Sequence, residues 1–294
     1  MDADDLNAAL REKILEKLKE SGDLRLNIGG LGIYRRDESN IAENCFYKPL
    51  CTVAIQGTKW STVGGEKFYL KKNEYLVAML EMPAQNYIVG ASKKEPFLSI
   101  AIDLDLYLIS QILTEHPELA ETGDTECKGA GLAKADSELL SVFLRLLTLA
   151  EDERKSAILA PTLIRELHLI LLLGPLGRHL CAANSPNTSA SQIARATAFL
   201  RKNYRQAISI SQLAKIANMS LSTFHRQFKQ ITKLSPIQYQ KRLRMYEAKR
   251  LMIAESKSAS SAAYEVGYES YPQFNREYKR LFGDSPKRSL KRNS

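Results

Sequence analysis

Apolar residues along this chain keep two different rhythms. Leu6, Leu10, Ile14 and Leu18 recur at helical spacing, which predicts a first helix over 5–21. From Gly29 to Asp105 the rhythm shortens. Residues 51–55, 67–70, 75–80, 87–89 and 97–102 are short extended runs. Gly57-Thr58, Gly64-Gly65, Lys72-Asn73 and Pro83 separate them, and these are residue types that turns use. Many short strands with evenly spaced turns imply a small antiparallel barrel or sandwich. After Leu104 the helical period returns, with helices expected over 106–116, 137–151 and 157–173. The last is apolar on nearly every face, and such a helix has to be buried. Its expected cover is the same helix of a second subunit, which makes the protein a homodimer.

Residues 181–191 (CAANSPNTSAS) are small and polar with one proline, the composition of a linker. They divide the chain into a domain of residues 1–180, mixed strand and helix, and an all-helical domain of residues 192–294. The fold class is α+β in two domains. A length of 294 residues is enough for a core in each.

The second domain contains a degenerate repeat. Ser220, Phe224, Arg226, Phe228, Lys229, Ser235 and Pro236 recur 50 residues later as Ser270, Phe274, Arg276, Tyr278, Lys279, Ser285 and Pro286. Each copy predicts a short helix, a turn and a second helix with one apolar and one basic-polar face. In the first copy Ser209-x-x-Gln212 opens a helix running to Ala217, Asn218 makes the turn, and Ser220 caps the second helix. Phe224, Phe228 and Ile231 are expected inward. In the second copy 262–266 supplies the first helix, Gly267 the turn, and Ser270-x-x-Gln273 the cap, with Phe274, Tyr278 and Leu281 inward. Pro272 lies in the first turn, where its missing N–H costs little. Ser235-Pro236 begins a helix of about 18 residues between the copies, roughly 27 Å long. A strut of that length suits two recognition helices set one DNA turn, about 34 Å, apart.

Charge follows the same division. Residues 190–294 carry 21 Lys and Arg against 6 Asp and Glu, a balance of +15, whereas the remainder carries 21 against 27, a balance of −6. A polyanion-binding module attached to a part with another task fits this asymmetry. The expected partner is double-stranded promoter DNA. Ser222, Thr223, His225, Arg226 and Lys229 form the outward face of the first recognition helix. Tyr271, Gln273, Asn275, Arg276 and Lys279 form that of the second. Arg226 and Arg276 suit a guanine edge, Gln273 or Asn275 an adenine, and Lys229, Lys279 and the helix N-termini the phosphates. Both arginines also lie near the inward stripe, so a structural role stays open for them.

Residues 193–292 resemble the C-terminal domain of the AraC/XylS transcription regulators. The segment GYESYPQFNREYKRLFGDSP (267–286) is similar to that family's signature. The resemblance implies two helix-turn-helix subdomains joined by a helix, binding promoter DNA and usually activating transcription with RNA polymerase as partner. The sequence departs from the family pattern at Asn218, where glycine is favoured, and at Ser260 and Ser261, where bulkier apolar residues are frequent. Residues 46–57 (FYKPLCTVAIQG), with 75–81 and 96–103, resemble the N-terminal domain that one branch of the family carries. That likeness implies a cupin-like β-barrel with flanking helices, serving to sense an effector and to dimerise.

A barrel interior holds one small molecule among apolar and aromatic side chains. Trp60, Tyr69, Tyr75, Met79, Met82 and Tyr87 are candidates for such an effector site, with plain core packing as the alternative. Cys51 on a strand is a candidate for reactive metabolites if its thiolate is stabilised. Cys45, Cys51, Cys127 and Cys181 have no metal-ligand spacing and are read as reduced thiols. His116, His168, His179 and His225 all fall outside the expected strands, so the histidine cluster of a metal-dependent cupin enzyme is missing. The cluster Gly29-Gly30-x-Gly32 lacks a phosphate loop's context. The chain is therefore expected to be no enzyme and to need no metal or cofactor. The opening residues read as no signal peptide, and the apolar run 167–176 is too short to span a bilayer, so a cytoplasmic bacterial regulator is expected. A regulator without an effector, and a barrel enzyme tethered to DNA, remain as other readings.

Overall fold

The computed structural model describes residues 1–39, 42–120 and 128–288; Cys127 lies outside them. Two compact units make up the chain, 1–191 and 192–294, and each is described separately.

The first unit opens with α1 (Ala3–Lys17). Asp2 caps it reciprocally with Asp5, and Leu6, Leu10 and Ile14 turn into the core. Nine strands follow: β1 (Gly22–Arg25), β2 (Leu31–Arg36), β3 (Ala42–Tyr47), β4 (Leu50–Gln56), β5 (Thr58–Val63), β6 (Glu66–Lys71), β7 (Glu74–Ala78), β8 (Met82–Val89) and β9 (Phe97–Asp103). After α2 (Leu106–Glu115) come β10 (Ala130–Lys134), α3 (Ser137–Leu149), α4 (Glu153–Leu173) and α5 (Gly177–Asn184). All pairings are antiparallel. One sheet runs β1-β2-β9-β4-β7-β10, the other β3-β8-β5-β6. Together they form the sheet-rich domain expected of a cupin-like chain.

Register decides what each strand offers. Across the larger sheet Cys51 pairs with Ile102, Thr52 with Ala101 and Val53 with Ile100. Successive residues face opposite sides of a sheet. Cys51, Val53, Ile100 and Ile102 thus share one side, which α1 helps to cover, while Thr52 and Ala101 face the second sheet. On β5 the burial alternates, with Lys59, Ser61 and Val63 inward and Trp60 outward.

Strands β1, β2, β3, β5 and β10 were not expected from the hydrophobic pattern. Pro83, expected in a turn, is the second residue of β8, opposite Phe46 of β3. It lies one step beyond the last β5 pair, Val63–Ala84, and its carbonyl accepts from Gly64 N–H at 2.8 Å. Its missing N–H therefore falls past the end of that ladder, where a proline is tolerated.

Helix α4 has a span long and apolar enough to cross a membrane. It instead packs on α3, with Arg165 paired to Glu115, Glu166 paired to Arg145, and His168 buried. Its burial is one-sided: Leu167, Leu171 and Leu172 point inward, while Ile158 (68% exposed), Leu159 (50%) and Leu173 (72%) do not. In the polar stretch 181–191, residues up to Asn184 complete α5, and Thr188 Oγ1 accepts from Ser191 N–H at 3.1 Å.

The second unit is all helical: α6 (Ser189–Asn203, beginning just ahead of it), α7 (Ile210–Ile216), α8 (Leu221–Thr232), α9 (Pro236–Ala254), α10 (Ala259–Glu265) and α11 (Tyr271–Phe282). The 19 residues of α9 give a strut of about 28 Å. Fully buried Phe224, Phe228 and Tyr239 hold α8 on α9, and Phe274 and Tyr278 anchor α11.

Candidate nucleic-acid interface and barrel cavity

Both recognition helices start and stop by the same local chemistry. Ser220 Oγ accepts from Thr223 N–H at 3.3 Å, and Ser270 Oγ from Gln273 N–H at 3.5 Å. At their C-termini Lys233 (φ 57°) and Gly283 (φ 80°) take the left-handed cap. The preceding turns use Asn218 at φ 52° and Gly267 at φ 93°. Asparagine tolerates this region, so the departure at Asn218 leaves the turn intact. Gly267 has a second reason to be glycine, because a Cβ there would sit 2.1 Å from the Arg205 carbonyl oxygen. Ser260 and Ser261 are exposed on α10, whose inner face is built by Ala259, Ala262 and Ala263.

Each helix turns a polar face to solvent. On α8, Ser222, His225, Arg226 and Lys229 are exposed and Thr223 is half-buried; on α11, Gln273, Arg276 and Lys279 are exposed and Tyr271 and Asn275 half-buried. Leu281, expected inward, is half-buried. Ser222 and Thr223 also join the Ser220 cap. Among the described residues neither Arg226 nor Arg276 makes a hydrogen bond or ion pair, which leaves both guanidinium groups available to a ligand.

Two positioning residues escaped the sequence reading. Arg244 on α9 donates to the carbonyl oxygens of Tyr204 (2.7 Å), Gly267 (2.8 Å) and Gln206 (3.0 Å), tying the second unit's turn to the end of α6. Glu277 on α11 accepts from Lys241 of α9 at 2.7 Å and from Tyr268 at 2.8 Å. Burial pushes its carboxyl up, but hydrogen bonds from Lys241, Tyr268 and Gln273 outweigh this and hold it below the ordinary carboxylate range. Their signal was faint: charged residues at inward helical positions in a unit otherwise apolar inside.

Between the two sheets of the first unit lies a cavity of about 290 Å³. Its lining is mixed. Asn86 Oδ1 accepts from Tyr47 Oη at 2.7 Å and from Ser61 Oγ at 2.8 Å, while Arg36 pairs with Glu43 and, at 2.6 Å, with Asp23. Burial pushes the Cys45 thiol up to about 12, so it is a thiol and not a thiolate at neutral pH.

The effector candidates do not line this cavity. Trp60, Tyr69 and Tyr87 are cross-strand neighbours on the outer face of the smaller sheet, each about 40% exposed. Tyr75, Met79 and Met82 are buried elsewhere, and Cys51 points to the far side of the larger sheet, its thiol raised by burial. The period of two is the reason. Picking aromatic residues by type picked the outward positions of β5, β6 and β8, whereas the inward ones are Lys59, Asn86 and Ile88. Of the histidines, His168 is a satisfied core residue. Its Nε2 accepts from Asp105 N–H at 3.0 Å, its Nδ1 lies 2.7 Å from the Ile164 carbonyl, and burial lowers its pKa.

Comparison with known proteins agrees with this geometry. Residues 27–179 match the family model described as the AraC-type transcriptional regulator N-terminus, and residues 213–292 match a helix-turn-helix domain. The HTH-type transcriptional activator RhaS of Pectobacterium carotovorum is 28% identical over 180 residues, 61% of each chain. RhaS of Escherichia fergusonii is 29% identical over 154 residues, 52% of this chain and 55% of its own. The chain thus spans a little over half the length of these curated relatives. Among solved structures, ToxT from Vibrio cholerae O395 bound to (E)-4-(8-methylnaphthalen-1-yl)but-3-enoic acid superposes with a TM-score of 0.60. It is 10% identical, over 90% of this chain and 98% of its own. Another ToxT structure from the same strain gives 0.56 at 8% identity, over 88% and 96%. At such identities the likeness shows the fold.

Proposed function

The chain belongs to the AraC-type transcriptional regulators, and on that premise we propose that it reads promoter sequence with two recognition helices of a single subunit. The observation that carries this is the pair of free, exposed arginines at equivalent positions, Arg226 on α8 and Arg276 on α11. Each is flanked one turn later by a lysine suited to phosphate, Lys229 and Lys279. Arginine forks a guanine edge in the major groove, whereas phosphate contacts position the helix without reading it. Ser222, Thr223 and His225 on α8, and Tyr271, Gln273 and Asn275 on α11, complete the two faces.

Activation is the proposed sign of regulation, because the RhaS relatives are named activators, and RNA polymerase is then the partner. The exposed side of α4, with Ile158 and Leu159, supports a homodimer formed through that helix. The barrel cavity supports control by a small-molecule effector, and ToxT, a protein of this fold, has been solved with an organic acid bound. An effector acts as a switch only if it favours one arrangement of the protein over another. A cytoplasmic site of action follows from the promoter target.

Genome-wide mapping of binding sites in the host, repeated with the Arg226→Ala/Arg276→Ala double variant, tests the reading. Sharp peaks upstream of a few genes, lost in the variant, support it. Diffuse occupancy unaffected by the two substitutions contradicts it.

A further inference from the structure

Four basic and three acidic side chains line the barrel cavity, and one of the basic ones is deep inside it. Lys59 enters from β5 and is 7% exposed, because the strand's alternation turns Lys59 inward and Trp60 outward. The other charges facing the cavity, Lys48 apart, have partners. Arg36 is paired with both Glu43 and Asp23, and the exposed Arg25 stands 3.7 Å from Asp103. Lys48 is exposed at the rim. Among the described residues Lys59 makes no hydrogen bond and no ion pair; its near contact is the face of Phe97, 5.6 Å from the ring centre. A buried ammonium without a counter-ion is costly, and buried charges in proteins are ordinarily paired.

The neighbourhood of Lys59 has the complementary features of a site. Asn86 has both lone-pair sites of its oxygen taken by Tyr47 and Ser61, while among the described residues its amide nitrogen donates only to a weak acceptor, Cys45 Sγ at 3.4 Å. That leaves an N–H for a stronger one. Ile88 and Phe97 supply an apolar wall. The volume of about 290 Å³ compares with the roughly 150 Å³ that holds one benzene.

We propose that this cavity binds a small organic monocarboxylate with an apolar body of about one ring, its carboxylate paired with Lys59 Nζ and hydrogen-bonded by Asn86. The assignment rests on the barrel's being the effector site, and it identifies the effector's chemical class. The ligand supplies Lys59 with a directly paired anion, and its body lies against Phe97 and Ile88. Phe97 then serves two states, a cation–π partner without ligand and an apolar wall with it.

The test is thermal unfolding and calorimetric titration of the full chain, without DNA. The probes are benzoate, phenylacetate and hexanoate, beside benzamide, phenylacetamide and hexanol as neutral matches. At least one acid is expected to bind and raise Tm, with its neutral match weaker by about tenfold or more. Lys59→Met is expected to abolish that preference while melting higher than wild type without ligand, since an unpaired buried charge has gone. Equal binding of an acid and its neutral match by the wild-type protein overturns the proposal, whatever the variant does. So does failure of all three acids to bind, or a Lys59→Met protein that binds them unchanged. Those failures leave promoter reading untouched. Loss of promoter binding in the arginine variants with acid binding intact would in turn leave this site in place.

Discussion

Arg244 reaches Gly267 across the second unit, its Nη1 donating to the glycine carbonyl oxygen at 2.8 Å. The same guanidinium holds the carbonyls of Tyr204 and Gln206, so one side chain from the strut fixes the turn that aims α11. Burial lowers the Arg244 pKa yet leaves it charged, and a hydrogen bond to a charged donor contributes about 1.5–3 kcal/mol net of the exchange with water, though such contributions in one cluster do not simply add. Arg244→Met is expected to destabilise this unit by about 2–4 kcal/mol, because partly buried carbonyls lose their donor. Denaturant unfolding measures the loss. DNA affinity should fall alike for specific and random sequences, since the damage is to positioning.

Gly267→Ala should be worse than its size suggests. The added Cβ meets the Arg205 carbonyl at 2.1 Å on a backbone already at φ 93°. A positive φ alone costs an alanine about 1 kcal/mol or more, and the clash adds to it. Asn218→Gly, at the matching turn of the first copy, should change stability by only a few tenths of a kcal/mol, since both residues tolerate the left-handed region. Equal losses at the two turns would show that crowding at Gly267 is relieved by backbone movement.

His168 gives the first unit an acid limit. Its neutral ring accepts from the amide of Asp105, the residue that caps α2, so protonation of Nε2 would place two hydrogens face to face. Burial sets its folded pKa below the ordinary 6.5, so the unfolded chain binds the extra proton first. Stability therefore falls as pH drops below about 6.5, with a slope of at most about 1.4 kcal/mol per pH unit for this one group. His168→Gln should flatten the slope between pH 6.5 and 5 at the expense of some stability at pH 7. A slope unchanged in the variant would assign the effect to other groups.

Lys59 gives the same unit an alkaline signature of the same origin. Burial pushes its amine down to about 8, opposed by Cys45 and Glu43 of β3 and reinforced by Arg36 of β2. Between that value and the ordinary 10.5 the unfolded chain holds the proton and the folded chain does not, so the folded state gains as pH rises. Relative to Lys59→Met, ligand-free wild type should recover on the order of 2–3 kcal/mol from pH 8 to 10.5. Paired melting curves across that range measure the difference, and parallel curves would mean that Lys59 is solvated or paired.

Sequence legibility followed the range of the interactions. The helix-turn-helix copies are set by residues within about seven positions of one another: Ser220 and Ser270 as caps, Asn218 and Gly267 as turns, Phe224 and Phe274 as anchors. The barrel is set by register, which local pattern carries poorly. On β5 the inward side holds Lys59 and Ser61 and the outward side Trp60, the reverse of the usual apolar alternation. A hydrophobic template therefore neither found the strand nor assigned its faces. The cavity's charged lining comes from residues scattered between Asp23 and Asp103, and only the pairing of β1, β2, β3, β5, β8 and β9 brings them together. Arg244 and Glu277 were obscured for a related reason, since their partners are a turn and a helix 23 to 40 residues away.

The most direct test of two-headed reading is a hydroxyl-radical footprint on a mapped promoter, taken with wild type, Arg226→Ala and Arg276→Ala. Two protected patches one helical turn apart are expected. Each single variant should lose one patch and leave the other, at a loss of about 1–3 kcal/mol on the specific site. One patch only, or equal fading of both in either variant, would contradict the account.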